Sequence, residues 1–481
     1  MSLVAWFPLT GDLTNHGAYP HDLAGTPKAW ADGKIGKCPY FENDINNVLY
    51  NTTEDFYYTD NFSYCAWVKP NYMASNYAEW AFTCGRADYS TYGYGIQIDN
   101  GCIALWYGNN RGVIPVKTDM TTWYHVCCVV KNKVAYTYLN GEYYNQFTPS
   151  IIPSYGAEDA RGIGIGDFRY SADVYPYQGY INDLRIYDHS LSLKEIKEIY
   201  KGLIVHYNFN DCDNNESPNV AYDCSGYNNT ATLSNITVLK NASNGITPPS
   251  PTASYINLNS NDTRFYFENP YGFNSTFNEL TTSIWFNTTT LNNTYPNFFS
   301  LTDNFFWRTR LISSNQIWIY FRYDGGNHEC AFNCNNATLI DGNWHYLVTT
   351  FKNGLVSAYI DGALIGSTQY STTKLYVQNY SVWRIGYYSD NEECFRGYLA
   401  DPKIYVTALT AEDIKNEYQS KASLTNNGVL FTGNYIETSI DGNAKLPKKN
   451  YEIEANCFIE GSDTLKVYKN GTIKCKEIIE N

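Results

Sequence analysis

Short runs of alternating hydrophobic and polar residues recur along most of the chain, separated by turns rich in Gly and Asn. A two-residue period is typical of β-strands that bury one face. The first repeat of this pattern predicts strands at 3–9, 64–68, 80–85, 94–99, 102–107, 123–130, 134–139, 142–147, 163–168 and 180–187. Residues 15–47 and 210–254 read as loops because they are rich in Gly, Pro, Asn and Ser. The pattern predicts an all-β chain with antiparallel sheets.

Two stretches depart from this alternation in the same way. Residues 179–202 read GYINDLRIYDHSLSLKEIKEIYKG, and residues 397–420 read GYLADPKIYVTALTAEDIKNEYQS. Each predicts one strand followed by one short helix, at 193–201 in the first stretch. Ser192 and Thr410 each stand three positions before an acidic residue, the spacing of a capping box. A strand–cap–helix unit that occurs twice indicates a duplicated domain.

The spacing of other residues agrees with a duplication. Trp67 and Trp285 are 218 residues apart, as are Gly179 and Gly397. A period this long marks repeated domains and not a solenoid. The predicted boundaries are 1–201 for the first jelly roll, 202–420 for the second, and 421–481 for a C-terminal module of β-hairpins. The near absence of a linker predicts that the first two domains touch.

The order of these features along the chain resembles that of a known protein family. An aromatic opening strand (LVAWFPLTGDL), a Trp strand, a Trp-His strand, a strand–Asn-Gly–strand hairpin and the strand–helix unit resemble the laminin-G-like, concanavalin-A-type lectin/glucanase jelly roll. The resemblance implies two antiparallel jelly-roll sandwiches in tandem. This superfamily holds lectins, adhesion modules, glycosidases and virion components, so the resemblance alone does not select a function. The hairpins after residue 420 are similar to the C-terminal tails of tailed-bacteriophage structural proteins, which implies attachment or oligomerisation.

The amino-acid composition limits the kinds of partner that the protein is expected to bind. The chain has 34 Lys and Arg against 48 Asp and Glu, a net charge of −14. This balance argues against nucleic acid or an anionic membrane as the main partner. No apolar run approaches the roughly 18 residues that a membrane span needs. Met1–Trp6 enters a strand directly and shows no secretory signal, so we expect synthesis in a host cytoplasm.

The 13 cysteines include no metal-binding or redox pair at CxxC spacing. We expect free, buried thiols. Cys330 with Cys334, or Cys212 with Cys224, is the alternative if the protein resides outside a cell.

The signals for catalysis and metal binding are sparse. The resemblance implies an E-x-D-x-x-E strand in the glucanase branch, and the nearest match, Glu42-Asn-Asp44, lacks the last acid and falls in a predicted loop. Because glycoside hydrolysis needs two positioned carboxyl groups, we do not predict an enzyme. His125 and His345 follow the repeated Trp and are expected to bond a neighbouring strand, with a ligand-facing role as the alternative.

We predict no cofactor except a possible calcium ion, which the resemblance implies at a loop rim. Its candidate ligands are the acidic side chains Asp99, Asp211, Asp213, Asp223, Asp303 and Asp324.

Carbohydrate binding needs aromatic rings for sugar C–H faces and planar hydrogen-bond donors. Alternation along 316–323 places Trp318, Tyr320 and Arg322 on one face, opposite an apolar face. The predicted carbohydrate-binding residues are Trp307, Arg308, Trp318, Tyr320 and Arg322 in the second repeat, with Trp80, Arg86, Tyr92 and Trp106 in the first. The alternative is that these aromatic residues belong to the core or to the contact between domains.

These observations lead to one functional hypothesis and two alternatives. The hypothesis is a non-catalytic virion surface component, such as a fibre or decoration protein, whose sandwiches bind host surface glycans. Its other partners are further virion proteins and copies of itself. The alternatives are a purely architectural virion protein without sugar binding and a glycoside hydrolase of the same fold.

Overall fold

The structure is a computed structural model. It describes residues 3–71, 79–87, 92–153, 155, 162–167, 176–209, 219–240, 254–260, 262–268, 276–291, 296–301, 306–323, 326–334, 338–375, 382–388, 393–422, 465–467 and 473–475. These residues form an all-β architecture with two short helices, which confirms the predicted fold class.

The first half of the chain forms two antiparallel sheets and one helix. Its elements in chain order are β1 Leu3–Phe7, β2 Ala24–Thr26, β3 Ala29–Asp32, β4 Lys37–Glu42, β5 Val48–Tyr50, β6 Phe62–Asn71, β7 Glu79–Ala87, β8 Tyr92–Asp99, β9 Cys102–Tyr107, β10 Asn110–Pro115, β11 Tyr124–Lys131, β12 Val134–Leu139, β13 Glu142–Phe147, β14 Ile163–Ile165, β15 Gln178–Tyr187 and α1 Leu193–Lys201. One sheet has the order β13-β12-β11-β6-β15-β4-β3, with β1 paired to β15, and the other has the order β10-β9-β8-β7-β14-β5-β2.

The second half repeats this plan. Its elements are β16 Leu203–His206, β17 Val220–Ala221, β18 Ala231–Ser234, β19 Thr237–Lys240, β20 Ser254–Leu258, β21 Arg264–Glu268, β22 Glu279–Asn287, β23 Asn297–Leu301, β24 Trp307–Ser313, β25 Gln316–Tyr323, β26 Gly326–Asn333, β27 Trp344–Lys352, β28 Leu355–Ile360, β29 Ala363–Gln369, β30 Val382–Ile385, β31 Gly397–Tyr405 and α2 Ala411–Ala422. One sheet has the order β19-β20-β31-β22-β27-β28-β29, with β16 paired to β31, and the other has the order β17-β18-β21-β30-β23-β24-β25-β26. We call this last sheet the arginine sheet, for the residues described below.

Apolar residues of the two sheets in each half pack face to face. In β6, Tyr64, Ala66 and Val68 point into the core of the first sandwich, whereas Cys65 lies on the other face, beneath α1. This alternation agrees with the prediction from the sequence. Burial of aromatic residues supplies much of the apolar area that stabilises such a core.

Both helices begin as the sequence predicts. The Ser192 hydroxyl accepts from the amide of Glu195, whose carboxylate accepts from the amide of Ser192. Thr410 and Asp413 make the same reciprocal pair at the start of α2. α1 ends at Gly202, which adopts a left-handed conformation with φ of 64°.

Two predicted loops contain strands. Within residues 15–47 the structure has β2, β3 and β4, and within 210–254 it has β17, β18 and β19. These strands are two to six residues long, too short for a periodic pattern to rise above their Gly-rich and Asn-rich surroundings. The predicted loop assignments for these segments were therefore wrong.

The two sandwiches touch, as predicted. Trp6 and Trp67 of the first sandwich belong to the same buried cluster as the core of the second. Tyr227 packs edge-on against Trp6 with ring centroids 4.6 Å apart, and Arg185 Nη2 donates to the Tyr227 hydroxyl at 3.0 Å. Aromatic packing and a charge-assisted hydrogen bond thus join the two halves.

Only a two-stranded ladder, β32 Leu465–Val467 with β33 Ile473–Cys475, is described beyond α2. This pairing agrees with the hairpin that the run 464–474, with its turn Asn470-Gly471, predicts in the C-terminal module. The other hairpin predicted there, at 422–430 around Asn427-Gly428, lies outside the described residues apart from its first residue. Among the helices that the structure describes, none has the length and apolar character for crossing a bilayer.

Candidate functional site

The outer face of the arginine sheet carries the residues that combine aromatic rings with planar donors. Alternation in β25 turns Ile317, Ile319 and Phe321 into the core and leaves Trp318, Tyr320 and Arg322 outside, as predicted. The neighbouring β24 adds Arg308 and Arg310 to the same face, because Arg308 pairs with Tyr320 and Arg310 pairs with Trp318. These rings and guanidinium groups therefore lie side by side on the outer face of this sheet.

Trp318 and Tyr320 form the aromatic centre of this surface. Their rings stack with centroids 5.4 Å apart and an interplanar angle of 29°. The Arg310 guanidinium lies 3.8 Å from the Trp318 ring centroid, and the indole nitrogen donates to Glu329 at 3.2 Å. Trp318 is therefore only 9 % exposed, while Tyr320 is half-buried. Tyr320 is the more accessible aromatic surface for a ligand.

Arg308 and Arg310 share one carboxylate. Arg308 contacts Glu393 and donates from Nε to Asn297 at 2.5 Å, and Arg310 Nη1 lies 3.2 Å from Glu393 Oε1. Burial, together with the neighbouring Arg310, lowers the pKa of Arg308 to about 10. Arg308 also lies 4.1 Å from the ring of Tyr388. These contacts fix both guanidinium groups, so ordering them for a ligand costs little side-chain entropy.

Arg322 lies one row further along β25, opposite Asn327 of β26. It is half-buried, and its buried Nε has no hydrogen-bond partner. An unsatisfied guanidinium donor near a half-buried tyrosine ring is a combination that a polar ligand would complete.

One predicted binding residue faces the wrong way. Trp307 is fully buried, and its indole nitrogen lies 3.2 Å from Thr349 Oγ1. It belongs to the core of the second sandwich because it is one residue out of phase with Arg308. The prediction of Trp307 as a carbohydrate-binding residue was therefore wrong, and the alternative of a core residue applies to it.

The first sandwich has a smaller group of the same kind on its β7–β10 face. Trp80 and Trp106 have ring centroids 5.8 Å apart, and the Trp106 indole donates to Gln97 at 2.9 Å. Arg111 lies over Trp106 at 5.2 Å and donates to Gln97 at 2.6 Å. Trp80 is buried and Trp106 is half-buried. The structure thus brings these two predicted residues together, and it adds two residues that were not predicted.

Arg86 and Tyr92 were also predicted for this site. Their backbones end β7 and begin β8, but their side chains lie outside the described part of the chain.

A polar cleft of about 740 Å³ forms a second candidate site, at one end of the second sandwich. Its lining residues are Asn257, Leu258, Asn259, Asn287, Thr288, Thr289, Thr290, Gly342, Arg396, Gly397 and Tyr398. Thr288 Oγ1 donates to the carbonyl of Arg396 at 2.6 Å, and Asn287 Nδ2 donates to the carbonyl of Gly342 at 2.6 Å. The volume lies in the range of small-molecule sites.

Comparison of the two repeats shows how this cleft arises. Asn257 pairs with Tyr398 in the second sandwich, and Tyr40 pairs with Tyr180 at the equivalent place in the first. There the rings of Tyr40 and Tyr180 pack with centroids 5.0 Å apart. A short Asn in place of a Tyr leaves space beside Tyr398. The run Asn287-Thr-Thr-Thr290 is the sequence signal for this polar lining, and the sequence analysis did not predict the cleft from it.

The two histidines have different surroundings. His345 Nδ1 lies 2.8 Å from Asp361 and Nε2 lies 3.2 Å from Asp341, and these carboxylates raise its pKa although burial lowers it. His345 is thus a structural histidine, as predicted. His125 instead packs between the rings of Trp67 and Tyr200, so its expected bond to a neighbouring strand was wrong.

The acidic candidates are dispersed. Glu42 contacts Lys28 at 2.5 Å, and Asp44 accepts from Asn46 within its own loop. Asp223 accepts from the backbone amides of His206 and Ser225, and Asp99 lies 3.7 Å from Arg111. Asp211, Asp213, Asp303 and Asp324 lie outside the described residues.

Among the residues that the structure does describe, no group of three His, Cys, Asp or Glu side chains has metal-binding geometry. The ten cysteines with described side chains are free thiols, including Cys224, Cys330 and Cys334.

With this geometry established, comparisons with known proteins place the chain in a family. A laminin G family model, described as concanavalin A-like lectin/glucanases superfamily, matches residues 44–197 and again 252–415. The chain belongs to the concanavalin A-like lectin/glucanase superfamily. Each matched segment lies within one of the two sandwiches. No curated protein matches the sequence.

Solved structures with similar folds include toxin and arabinanase domains. The receptor binding domain of botulinum neurotoxin D is 16 % identical, with 46 % of this chain and 53 % of that chain covered and a TM-score of 0.35. Botulinum neurotoxin type C, whose cell entry depends on two ganglioside molecules, gives 16 % identity, 46 % and 51 % coverage, and a TM-score of 0.33. The chain covers about half the length of these toxin structures.

Domain 4 of a GH43 extracellular arabinanase from Geobacillus stearothermophilus, in complex with arabinotriose, is 19 % identical, with 45 % and 98 % coverage and a TM-score of 0.32. Alignments this loose carry no functional weight for any of the three proteins.

Proposed function

We propose that this superfamily member is a non-catalytic glycan-binding protein, and that the outer face of the arginine sheet holds the glycan. The observation that carries the proposal is the stacked pair Trp318 and Tyr320 with Arg310 and Arg322 beside it, all on the face away from the core. A tyrosine ring offers a flat apolar surface for sugar C–H groups. Guanidinium groups donate paired hydrogen bonds to hydroxyl or acidic oxygens.

The surface is open and shallow. Such a surface holds one saccharide weakly, because little of the ligand is removed from water. Repetition of the binding surface on a larger particle multiplies the affinity through effective concentration. We therefore propose a multivalent setting, with the protein as a fibre or decoration component on the surface of a virion. The resemblance of the C-terminal hairpins to phage tail proteins supports this setting. In this setting, we expect the partners to be other virion proteins and further copies of the chain.

The test is a glycan array on the full-length protein, followed by titration calorimetry with the bound saccharides. Tyr320→Ala is expected to weaken binding about fivefold or more, because loss of a ring contact removes roughly 1 kcal/mol. Tyr144→Ala is the matched control. Tyr144 is 43 % exposed on β13 of the first sandwich, so its loss leaves glycan affinity unchanged. A folded protein that binds no glycan at millimolar concentration contradicts the proposal and favours the architectural alternative.

The variant Asn257→Tyr tests whether the glycan binds at the arginine sheet or in the cleft. This change places in the second sandwich the residue that fills the equivalent position of the first, beside Tyr180. If the arginine sheet is the site, Asn257→Tyr binds like the unmodified protein. If Asn257→Tyr abolishes binding while Tyr320→Ala does not, the glycan occupies the cleft and our assignment of the surface is wrong.

The glycosidase alternative has its own measurement. If the protein releases reducing sugar from a bound glycan, and if Glu42→Ala or Asp44→Ala abolishes this release, then the protein hydrolyses the glycan and is a glycosidase. We expect no release, since Glu42 lies against Lys28 and Asp44 is engaged in its own turn.

A further inference from the structure

Two cysteines face each other across central strands of the first sandwich. Cys65 on β6 pairs directly with Cys127 on β11. Residues directly opposite each other in an antiparallel ladder have Cα atoms about 4.5–5.5 Å apart, within the range of about 4.4–6.8 Å that a disulfide spans. Both side chains lie on the same face of the sheet, in the buried cluster beneath α1. The backbone therefore already holds this pair at disulfide distance.

The pair Cys330 and Cys334, which the sequence suggested, lacks this geometry. Cys330 lies in β26, and Cys334 follows the end of that strand four residues further along. An extended strand rises about 3.3 Å per residue, so the two Cα atoms are about 13 Å apart and a disulfide cannot join them. Among the strand pairings that the structure describes, none other than Cys65 with Cys127 places two cysteines opposite each other.

The second sandwich provides an internal comparison at the same place. There Ser283 of β22 pairs with Val348 of β27, as Cys65 pairs with Cys127 in the first sandwich. The repeated Trp lies two residues after this position on both strands, which fixes the alignment. The second sandwich forms its sheet with a serine and a valine there. Packing in this fold therefore does not require the two cysteines.

The surroundings of the two sulfurs favour thiol–disulfide exchange. The neighbouring Cys127 lowers the pKa of the Cys65 thiol, although burial opposes this effect. Burial raises the pKa of Cys127. Exchange begins with attack by a thiolate, so Cys65 is the sulfur that attacks first. Leu191 and Ile196 pack in the same cluster, and an apolar cover suits a disulfide because the bond carries no charge.

We propose that Cys65 and Cys127 form a redox-responsive site, with two thiols in a reducing medium and one disulfide in an oxidising medium. The oxidant is a small disulfide, represented here by oxidised glutathione. The Cys65 thiolate attacks its S–S bond and releases one glutathione thiolate, and the Cys127 sulfur then attacks the mixed disulfide at Cys65 and releases the second. The two cysteines together lose two electrons and two protons, which leave with two molecules of reduced glutathione.

The disulfide links two neighbouring strands inside their sheet, and it joins residues that are 62 positions apart (127 − 65). A cross-link over a loop of this length restricts the unfolded chain and thereby stabilises the folded protein. We expect the oxidised protein to have a thermal denaturation midpoint that is roughly 5 °C or more above that of the reduced protein. This inference does not depend on the proposed glycan binding.

The test refolds the full-length protein from urea in a glutathione redox buffer, because both sulfurs are buried in the folded chain. A parallel sample refolds with dithiothreitol. Free thiols are then blocked, and peptide mapping under non-reducing conditions identifies the linked cysteines. We expect a Cys65–Cys127 disulfide in most molecules of the first sample and a higher thermal midpoint than in the second. If both cysteines carry the blocking group or a glutathione adduct, or if the linked protein has no higher midpoint, the inference is overturned.

A double variant, Cys65→Ser with Cys127→Val, is the matched control, because serine and valine stand at the equivalent positions of the second sandwich. It keeps the other 11 cysteines (13 − 2), including the exposed Cys224. We expect its thermal midpoint to be the same in both buffers. A rise as large as that of the unmodified protein would assign the effect to other cysteines and contradict the inference. If the double variant does not fold, peptide mapping of the unmodified protein still decides.

Discussion

At the scale of single residues, Glu417 is held by partners from several elements. It lies in α2 with 15 % of its side chain exposed, and it accepts from the hydroxyls of Tyr346 at 2.6 Å and Tyr405 at 2.9 Å. Lys201, the last residue of α1, lies 3.6 Å from it. Burial alone would raise the pKa of Glu417, but Lys403 and Lys201 lower it to about 2. One carboxylate thus links the helix of the first sandwich to that of the second.

This environment predicts a pH-dependent contribution to stability. The pKa of Glu417 is depressed from an ordinary 4.5, so its contribution is complete above pH 4.5 and is lost as the pH falls toward 2. The shift corresponds to roughly 3 kcal/mol. Glu417→Gln leaves Lys201 with Glu198 and Lys403 with Asp401, so it should lower the free energy of unfolding by about 3 kcal/mol at pH 7, the amount that corresponds to the shift. The deficit should shrink as the pH is lowered toward 2.

Urea denaturation at a series of pH values measures this effect. Glu412→Gln, at an exposed position of the same helix, serves as the control and should cost less than about 0.5 kcal/mol. A Glu417→Gln deficit that is constant across the pH range would contradict the assigned ionisation.

At the scale of elements, the sequence was most informative where periodicity and capping coincide. The helix at 193–201 and the strands at 102–107, 134–139 and 142–147 were predicted at their observed bounds, because each has a clear period and turn residues at both ends. β5 and β10 were missed: β5 is three residues long, and β10 contains both Gly and Pro. β5 pairs with β2 and with the distant β14, a pairing that a local pattern does not encode, whereas β10 pairs with the adjacent β9 and was missed because Gly112 and Pro115 interrupt its period.

The N-terminal caps of the two helices give a testable prediction at the scale of elements. Ser192→Ala and Thr410→Ala each remove one side-chain acceptor at a helix start, and each should lower the free energy of unfolding by about 1 kcal/mol. Ser192→Thr keeps the hydroxyl and should retain most of the stability. Chemical denaturation of the three variants checks this expectation. If Ser192→Ala is as stable as the unmodified protein, the reciprocal bonds with Glu195 contribute nothing.

At the scale of the whole molecule, the duplication explains which features of the fold could be predicted from the sequence and which could not. The offset of 218 residues identified two sandwiches, and alternation in β25 placed Trp318, Tyr320 and Arg322 on one surface. Trp307 was wrongly predicted to lie on the outer face, because the sequence pattern of β24 does not show which of its two faces points into the core. The register also pairs His125 with Trp67 and Tyr346 with Trp285, so Tyr346 and not His345 is the counterpart of His125.

The composition of the outer face of the arginine sheet emerges only at this largest scale. Arg264, Arg308 and Arg384 lie on β21, β24 and β30, separated by 44 (308 − 264) and 76 (384 − 308) residues. Folding brings them onto one sheet. On the β7–β10 face of the first sandwich, the one arginine with a described side chain, Arg111, lies against Asp99. Two copies of one fold thus present different surfaces.

Hydroxyl-radical footprinting of the full-length protein, with and without a saccharide that binds it on the glycan array, tests the central claim most directly. Oxidation of each tyrosine side chain is measured by mass spectrometry under both conditions. We predict that the saccharide reduces oxidation of Tyr320 and leaves that of Tyr144 unchanged. Unchanged oxidation of Tyr320 under saturating saccharide, or protection confined to Tyr398 in the cleft, would contradict the assignment of the arginine sheet as the glycan-binding surface.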